Sequence, residues 1–155
     1  MKRKRIIITL SVVAAVLVIL FGGIVIRNRL NDYSHILRLN WNLILPSDSG
    51  CSEIYSDDSG SSFHGDGIRY HVFNYEDETA IDTMVDWQLT EGKTRFRMNY
   101  SEAVAEWLDS INVPDDWRPE YEDCSFWYQQ KYGGDEMIIL QDKNQKNLYV
   151  AESFI

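Results

Sequence analysis

The sequence predicts a small α+β domain joined to an N-terminal transmembrane helix. Three observations support this fold class. A run without charged residues begins at Ile6 and ends at Ile26. Two segments further along the chain carry apolar residues at helical spacing, and about five others have the composition and alternation of strands. Because strands and helices are grouped rather than alternating, we expect an antiparallel sheet.

The apolar run at 6–26 has the length and composition of a single membrane span. As a helix it would extend roughly 31 Å, about the thickness of a hydrocarbon core. Basic residues occupy all four positions from 2 to 5, against Arg27 and Arg29 after the run. This bias predicts a cytoplasmic tail at 1–5 and an exported remainder, anchored in the cell membrane.

A cleaved signal peptide would begin with a similar basic segment. The run at 6–26 is longer than an ordinary signal-peptide core, and no small-residue cleavage site follows it. We therefore expect an uncleaved anchor that contacts the lipid bilayer.

Residues 27–45 connect the predicted anchor to a domain at 46–155. Ile36 to Asn40 fits the continuation of a helix, whereas Leu39, Trp41 and Leu43 alternate as in a strand. Both interpretations remain open at this stage.

Charge is divided sharply along the chain. All 24 acidic residues follow the apolar run, whereas six of the 15 basic residues precede position 30. Residues 30–155 therefore carry nine basic and 24 acidic residues, a net charge of −15. A surface this acidic repels nucleic acid and anionic lipid headgroups, so neither is expected as a partner. Cations, basic peptides and plain solubility are the remaining explanations.

The two cysteines, Cys51 and Cys124, both follow the apolar run. An even number of cysteines in an oxidising compartment predicts one disulfide. Free thiols are the alternative, and a metal site built on them would need closer spacing or histidine neighbours.

The first half of the domain predicts two strands and a helix. We expect a strand at about 51–57, a turn at 58–60 and a second strand that resumes near Phe63. Asp66-Gly67 suits a bulge or tight bend, and 68–76 is the clearest part of the second strand. A helix is predicted at 78–89, with Asp77 or Thr79 as its N-cap and Gly92 beyond its end.

The second half predicts another helix and a three-stranded meander. The helix spans 102–112, and Asn99 with Glu102 matches a capping box. An extended turn at 114–119 follows. The strands of the meander are predicted at 124–132, 136–141 and 148–155.

One group of residues has the chemistry of a metal site. His64, Asp66 and His71 lie close to Asp57 and Asp58 across a predicted bend, and imidazole and carboxylate groups bind divalent cations. They are candidate metal ligands, but Asp-Asp-Ser-Gly and Gly-Asp-Gly are ordinary turn sequences, and a solvated turn with surface histidines is the favoured interpretation. No calcium-loop spacing is present.

No motif for catalysis is present, so we expect neither an enzyme nor a cofactor. Ser61 and Ser62 lie near His64, but no nucleophile elbow and no phosphate-binding loop occur. An envelope hydrolase is therefore the least favoured function.

Two other groups could contact a partner. Lys93, Arg95 and Arg97 alternate as on one side of a strand, and could meet an acidic partner or simply face solvent. The aromatic residues near the C-terminus exceed what one sheet face can bury, so some are expected in an exposed patch: Trp117, Tyr121, Phe126, Trp127, Tyr128 and Tyr132.

The segment SSFHGDGIRYHVF and the closing NLYVAESFI resemble short, membrane-anchored extracytoplasmic proteins of Gram-positive bacteria. In those proteins a polar turn with a similar Gly-Asp-Gly bend leads into an aromatic strand, and the chain ends in a strand hairpin. The resemblance implies location and layout, with Gly65, Asp66 and Gly67 as structural positions, but implies no activity.

Together these features predict a single-pass protein whose exported domain binds another envelope protein. The alternative is a domain that senses a cation or small ligand through His64, Asp66 and His71.

Overall fold

The computed structural model describes residues 33–46, 50–60, 66–89 and 100–155. The chain divides into two compact units, Met1–Leu45 and Pro46–Ile155. None of the described helices is long and apolar enough to cross a membrane. The predicted span at 6–26 lies outside the described residues, as do His64 and the basic group at 93–97.

The first unit contains helix α1, Tyr33–Trp41. Its buried residues, Tyr33, Leu37 and Trp41, lie four positions apart and therefore form one stripe along the helix. Asn42 ends the helix with a φ of 55°. The helical interpretation of this segment is thus correct and the strand interpretation is wrong.

The second unit is an antiparallel sheet with helices, which confirms the predicted α+β class. The described sheet has six strands in the order β1-β2-β6-β5-β4-β3. Their bounds are β1 Ser52–Asp58, β2 Gly67–Asn74, β3 Gln88–Leu89, β4 Cys124–Gln130, β5 Glu136–Asp142 and β6 Asn147–Phe154. The meander of β4, β5 and β6 agrees with the prediction to within two residues at each end.

The core of this unit lies on one face of the sheet, beneath helix α3, Ser101–Ser110. Val104 and Leu108 lie one helical turn apart and are buried in it. They pack in one cluster with alternate residues of the four central strands: Tyr70, Val72, Phe126, Ile138, Leu140, Tyr149 and Ala151. This packing fixes β2 and, through it, the edge strand β1.

The predicted capping box of α3 is not formed. The residue before the helix is Tyr100, which makes no side-chain capping bond, and Asn99 lies outside the described residues. With Tyr100 as the N-cap, Glu102 falls at the second helical position rather than the third that a capping box requires.

The helix predicted at 78–89 is much shorter. Helix α2 covers Glu78–Asp82 only, although Asp77 caps it as expected, accepting the N–H groups of Thr79 and Ala80 at 3.0 and 3.4 Å. The indole N–H of Trp87 donates to the carbonyl of Ile81 at 2.9 Å and closes the turn. The last two residues of the predicted helix, Gln88 and Leu89, form β3 instead. This strand pairs with β4, where Gln88 lies opposite Phe126.

The structure does not form the predicted disulfide: Cys51 and Cys124 are both thiols. The pairing register places Ser52, next to Cys51, in one row across the sheet with Cys124, through Asn74, Asn147 and Asp142. Four strand spacings of about 4.8 Å separate the ends of this row, roughly 19 Å in all. A disulfide needs Cα atoms within about 7 Å, so the strand order keeps these thiols apart.

The connection from β1 to β2 is closed by Ser59. Its N–H donates to the carbonyl of Ile68 at 2.9 Å, and its hydroxyl accepts the N–H of Ile68 at 3.0 Å. Gly67 begins β2 with a φ of 146°, a conformation that favours glycine, and a Cβ at this position would collide with the Ser59 hydroxyl. Gly67 therefore occupies a position that favours glycine, at the first residue of β2.

Candidate functional site

The structure separates the residues predicted to bind a metal. Asp66 is exposed just before β2, whereas His71 lies in the middle of β2, and His64 is not among the described residues. Within the described parts of the chain, no three histidine, cysteine or acidic side chains lie close enough to hold a metal ion. Asp66 and His71 therefore share no site formed by described side chains alone.

His71 instead forms a cross-strand pair with Glu53 of β1. Its Nδ1 lies 2.7 Å from Oε1 of Glu53, and its side chain is only 14% exposed. Because a carboxylate can only accept, Nδ1 carries the proton in this bond. The ring also stacks on Phe73, with centroids 6.2 Å apart. Burial lowers the pKa of His71, although the carboxylate of Glu53 acts in the opposite direction.

A shallow cavity of about 260 Å³ lies beside this pair, at the edge of the sheet. It is lined by Ser56, Asp57, Asp58 and His71. The two aspartates already accept bonds from nearby groups: Oδ1 of Asp57 accepts the N–H of Asp58 at 2.9 Å, and Oδ1 of Asp58 accepts the N–H of Gly60 at 2.7 Å. The cavity is polar and has the size of a small ligand or a single side chain.

A pair of aromatic rings, Tyr55 and Trp117, lies on the face of β1 opposite to the Glu53–His71 pair. The two rings are stacked, with centroids 5.1 Å apart and planes inclined by 15°. Both are partly buried against the core and keep part of their surface exposed. We call these two residues the ring pair.

Several contacts hold the ring pair in place. The hydroxyl of the buried Tyr70 donates to the carbonyl of Trp117 at 2.6 Å, and the ring of Tyr70 meets Tyr55 edge-on at 6.1 Å. Burial raises the pKa of Tyr70, so this hydroxyl keeps its proton and remains a donor. Trp117 also ends a short 3-10 helix, Asp115–Trp117, which follows Pro114. The pair is therefore preorganised by the core.

Three carboxylates adjoin the ring pair, one through a hydrogen bond and two through their position in the chain. The hydroxyl of Tyr55 donates to Oδ2 of Asp57 at 3.3 Å, and the exposed Asp115 and Asp116 directly precede Trp117. Arg118 is a neighbouring cation, and its charge is already engaged: Nη1 lies 2.7 Å from Oδ1 of Asp109 and Nε lies 3.7 Å from Oδ1 of Asp115. Its Nε also donates to the carbonyl of Val113 at 2.9 Å. The local charge is therefore negative.

Sequence reasoning found only part of this surface. Trp117 belongs to the predicted aromatic group near the C-terminus, whereas Tyr55 lies within the strand predicted at 51–57 and has no predicted role. The two residues are 62 positions apart in the chain, and no local pattern links them. Only the position of the 3-10 helix beside β1 brings them together.

A second polar cluster connects α2 to β5. The fully buried Gln141 donates from Nε2 to Oδ1 of Asp82 at 2.9 Å and to the hydroxyl of Tyr75 at 3.3 Å. Lys143 adds an ion pair with Asp82 at 2.9 Å and one with Glu78 at 3.3 Å. These bonds attach a five-residue helix to the sheet, which is a structural role.

Comparison with protein-family models, curated proteins and solved structures found no match.

Proposed function

We propose that this chain is a single-pass membrane protein whose exported α+β domain binds another protein of the cell envelope. The apolar run at 6–26 would anchor the domain in the bilayer with the N-terminus in the cytoplasm. The net charge of −15 carried by residues 30–155 supports a basic protein surface as the partner and argues against nucleic acid.

The observation that carries the proposal is the surface along β1. This strand lies at the edge of the described sheet, and five of its seven residues are exposed. The ring pair borders it on one face. Aromatic residues with part of their surface exposed are enriched at protein interfaces, where they bury a large area at a small cost in side-chain entropy. We call the exposed residues of β1 together with the ring pair the β1 surface.

Site-specific photo-cross-linking in the cells that make this protein tests the proposal. A photoreactive phenylalanine analogue replaces Ile54, which is 40% exposed on β1, in a tagged full-length chain. The matched control carries the analogue at Tyr132, which is fully exposed at the turn after β4, with three strands between β1 and β4. We expect one dominant envelope protein attached at position 54 and not at 132. Equal adducts at both positions, or none, would refute binding at the β1 surface.

The proposed location has its own test. In a Cys51→Ser background, Tyr132→Cys places a reactive thiol on the exported domain, and Lys2→Cys places one on the cytoplasmic tail. A membrane-impermeant maleimide should label the first variant in intact cells, and the second only after permeabilisation. The reverse pattern would show that the topology is inverted.

A second candidate function is the sensing of a cation or small ligand. The cavity beside His71 favours it, because hydroxyl, carboxylate and imidazole groups line one space. Calorimetric titration of the full chain with Zn²⁺ and with Ca²⁺, in wild type and in a His64→Gln, His71→Gln double variant, tests it. Heat in the wild type that is lost in the variant would support sensing. No heat in the wild type would exclude these two ions.

A further inference from the structure

The β1 surface has two properties that restrict how a partner can use it. The first is that its edge is poorly suited to the addition of another strand. Ile54 has no partner in the register between β1 and β2, because Glu53 lies opposite Phe73 and Tyr55 opposite Val72. This bulge interrupts the regular row of backbone groups that an added strand would need.

The side chain of Asp57 blocks the same edge further along. In an antiparallel pair, residues that bond the neighbouring strand alternate with residues whose backbone groups face away. Ser59 bonds β2 through its N–H, so the N–H of Asp58 faces away from β2. Oδ1 of Asp57 accepts this N–H at 2.9 Å. A partner is therefore expected to contact side chains here rather than backbone.

The second property is the combination of aromatic rings with negative charge. An arginine guanidinium is planar, stacks on indole and phenol rings, and pairs with carboxylates at its edge. The ring pair offers the aromatic surface, and Asp57, Asp115 and Asp116 offer the carboxylates. The nearby Arg118 meets this demand only at Asp115, 3.7 Å from its Nε, because Asp109 and the carbonyl of Val113 hold its guanidinium.

We infer that the β1 surface binds an arginine side chain presented by a basic segment of the partner protein, with the guanidinium against the ring pair and between these carboxylates. This inference rests on the proposed function and specifies the chemistry of the partner. The rigid support of Trp117 by Tyr70 favours binding, because little side-chain freedom is lost when the arginine docks.

Binding of defined peptides to the full-length chain in zwitterionic nanodiscs tests the inference. The probe is a peptide of alternating arginine and serine. Two control peptides carry citrulline, which has the same shape without the charge, and lysine, which has the charge without the planar group. Affinity is measured by fluorescence anisotropy of a labelled peptide. We expect the arginine peptide to bind more tightly than the lysine peptide, and the citrulline peptide not to bind measurably.

Three variants locate the site. Trp117→Ala should weaken binding of the arginine peptide about tenfold, and Trp117→Phe should restore part of it. Asp116→Asn removes one exposed carboxylate without disturbing the core, and should weaken binding about two- to fivefold. Trp127→Ala, at a half-buried tryptophan on β4, is the matched control and should leave the affinity unchanged.

The outcomes separate this inference from the proposed function. Unchanged affinity in both Trp117→Phe and Asp116→Asn, each of which should fold, would overturn the arginine site. Equal binding of the citrulline and arginine peptides would do the same. If the photo-cross-linker at Ile54 nevertheless captures one envelope protein, the proposed function stands and only the chemistry assigned to the partner is wrong.

Discussion

Replacing Gly67 by alanine should destabilise the domain more than replacing Gly60. Both glycines have a positive φ, 146° at Gly67 and 80° at Gly60, so alanine is strained at either position. They differ in surroundings. A Cβ at position 60 meets nothing within 4 Å, whereas a Cβ at position 67 collides with the hydroxyl of Ser59. That hydroxyl accepts the N–H of Ile68 at 3.0 Å, so moving it breaks a bond at the start of β2.

The magnitudes follow from these differences. Backbone strain alone gives about 1–2 kcal/mol for Gly60→Ala. Gly67→Ala carries strain of about 1–3 kcal/mol and also loses a hydrogen bond worth roughly 1 kcal/mol. We therefore expect the free energy of unfolding to fall by about 2–4 kcal/mol for Gly67→Ala. In a Ser59→Ala background the collision is removed, and the cost of Gly67→Ala should fall by about 1 kcal/mol.

Urea unfolding of the purified full-length chain in detergent measures these values. All five tryptophans follow position 40, so intrinsic fluorescence reports on the described units. Two results would contradict the role assigned to the Ser59 hydroxyl. One is an equal loss of stability for Gly60→Ala and Gly67→Ala. The other is an unchanged cost of Gly67→Ala after Ser59→Ala, which would show that the hydroxyl does not restrict this bend.

Three further predictions test other parts of the structure. Burial lowers the pKa of His71 below its ordinary 6.5, so the unfolded chain binds a proton at this residue more readily than the folded chain does. The contribution of His71 to the free energy of unfolding should therefore be complete above pH 6.5 and should decline as the pH falls toward the lowered pKa. His71→Gln should reduce the decline of the free energy of unfolding below pH 6.5, as measured by urea unfolding. An unchanged slope would contradict the assignment of this decline to His71. Alkylation of denatured, unreduced protein followed by mass spectrometry should modify both Cys51 and Cys124, whereas a protected pair would contradict the strand order. Asp77→Ala should lower the free energy of unfolding by about 1 kcal/mol through loss of the α2 cap, while Asp86→Ala, at an exposed residue after the helix, should leave it nearly unchanged.

The sequence predicted the sheet better than the helices, for a physical reason. In β2, β4, β5 and β6, turn-forming residues such as Gly133-Gly134 stand where the alternation of apolar and polar residues ends. The two patterns therefore predict the same strand end. The segment at 78–89 carries helical spacing in Ile81, Met84 and Val85, but pairing of Gln88 with β4 supplies hydrogen bonds that local periodicity does not contain. Tertiary pairing therefore overrides the local pattern there.

The candidate site was predictable only in part. The composition identified His71 as a notable residue but not its partner Glu53, because their contact depends on how β1 pairs with β2. The disulfide expectation failed for the same reason, since an even number of cysteines carries no information about strand order. The ring pair depends on a contact over 62 positions between Tyr55 and Trp117. Each of these depends on long-range pairing that a single sequence does not contain.

Photo-cross-linking at Ile54 in living cells, repeated in an Asp116→Lys variant, is the most direct test of whether the β1 surface binds a basic envelope protein. We expect one dominant envelope protein attached at position 54, joined through a segment that contains arginine, and much less of it in the Asp116→Lys variant. An adduct of unchanged amount in the Asp116→Lys variant would contradict recognition by charge at the β1 surface. Absence of any adduct at position 54 above the level found at Tyr132 would contradict binding at this surface altogether.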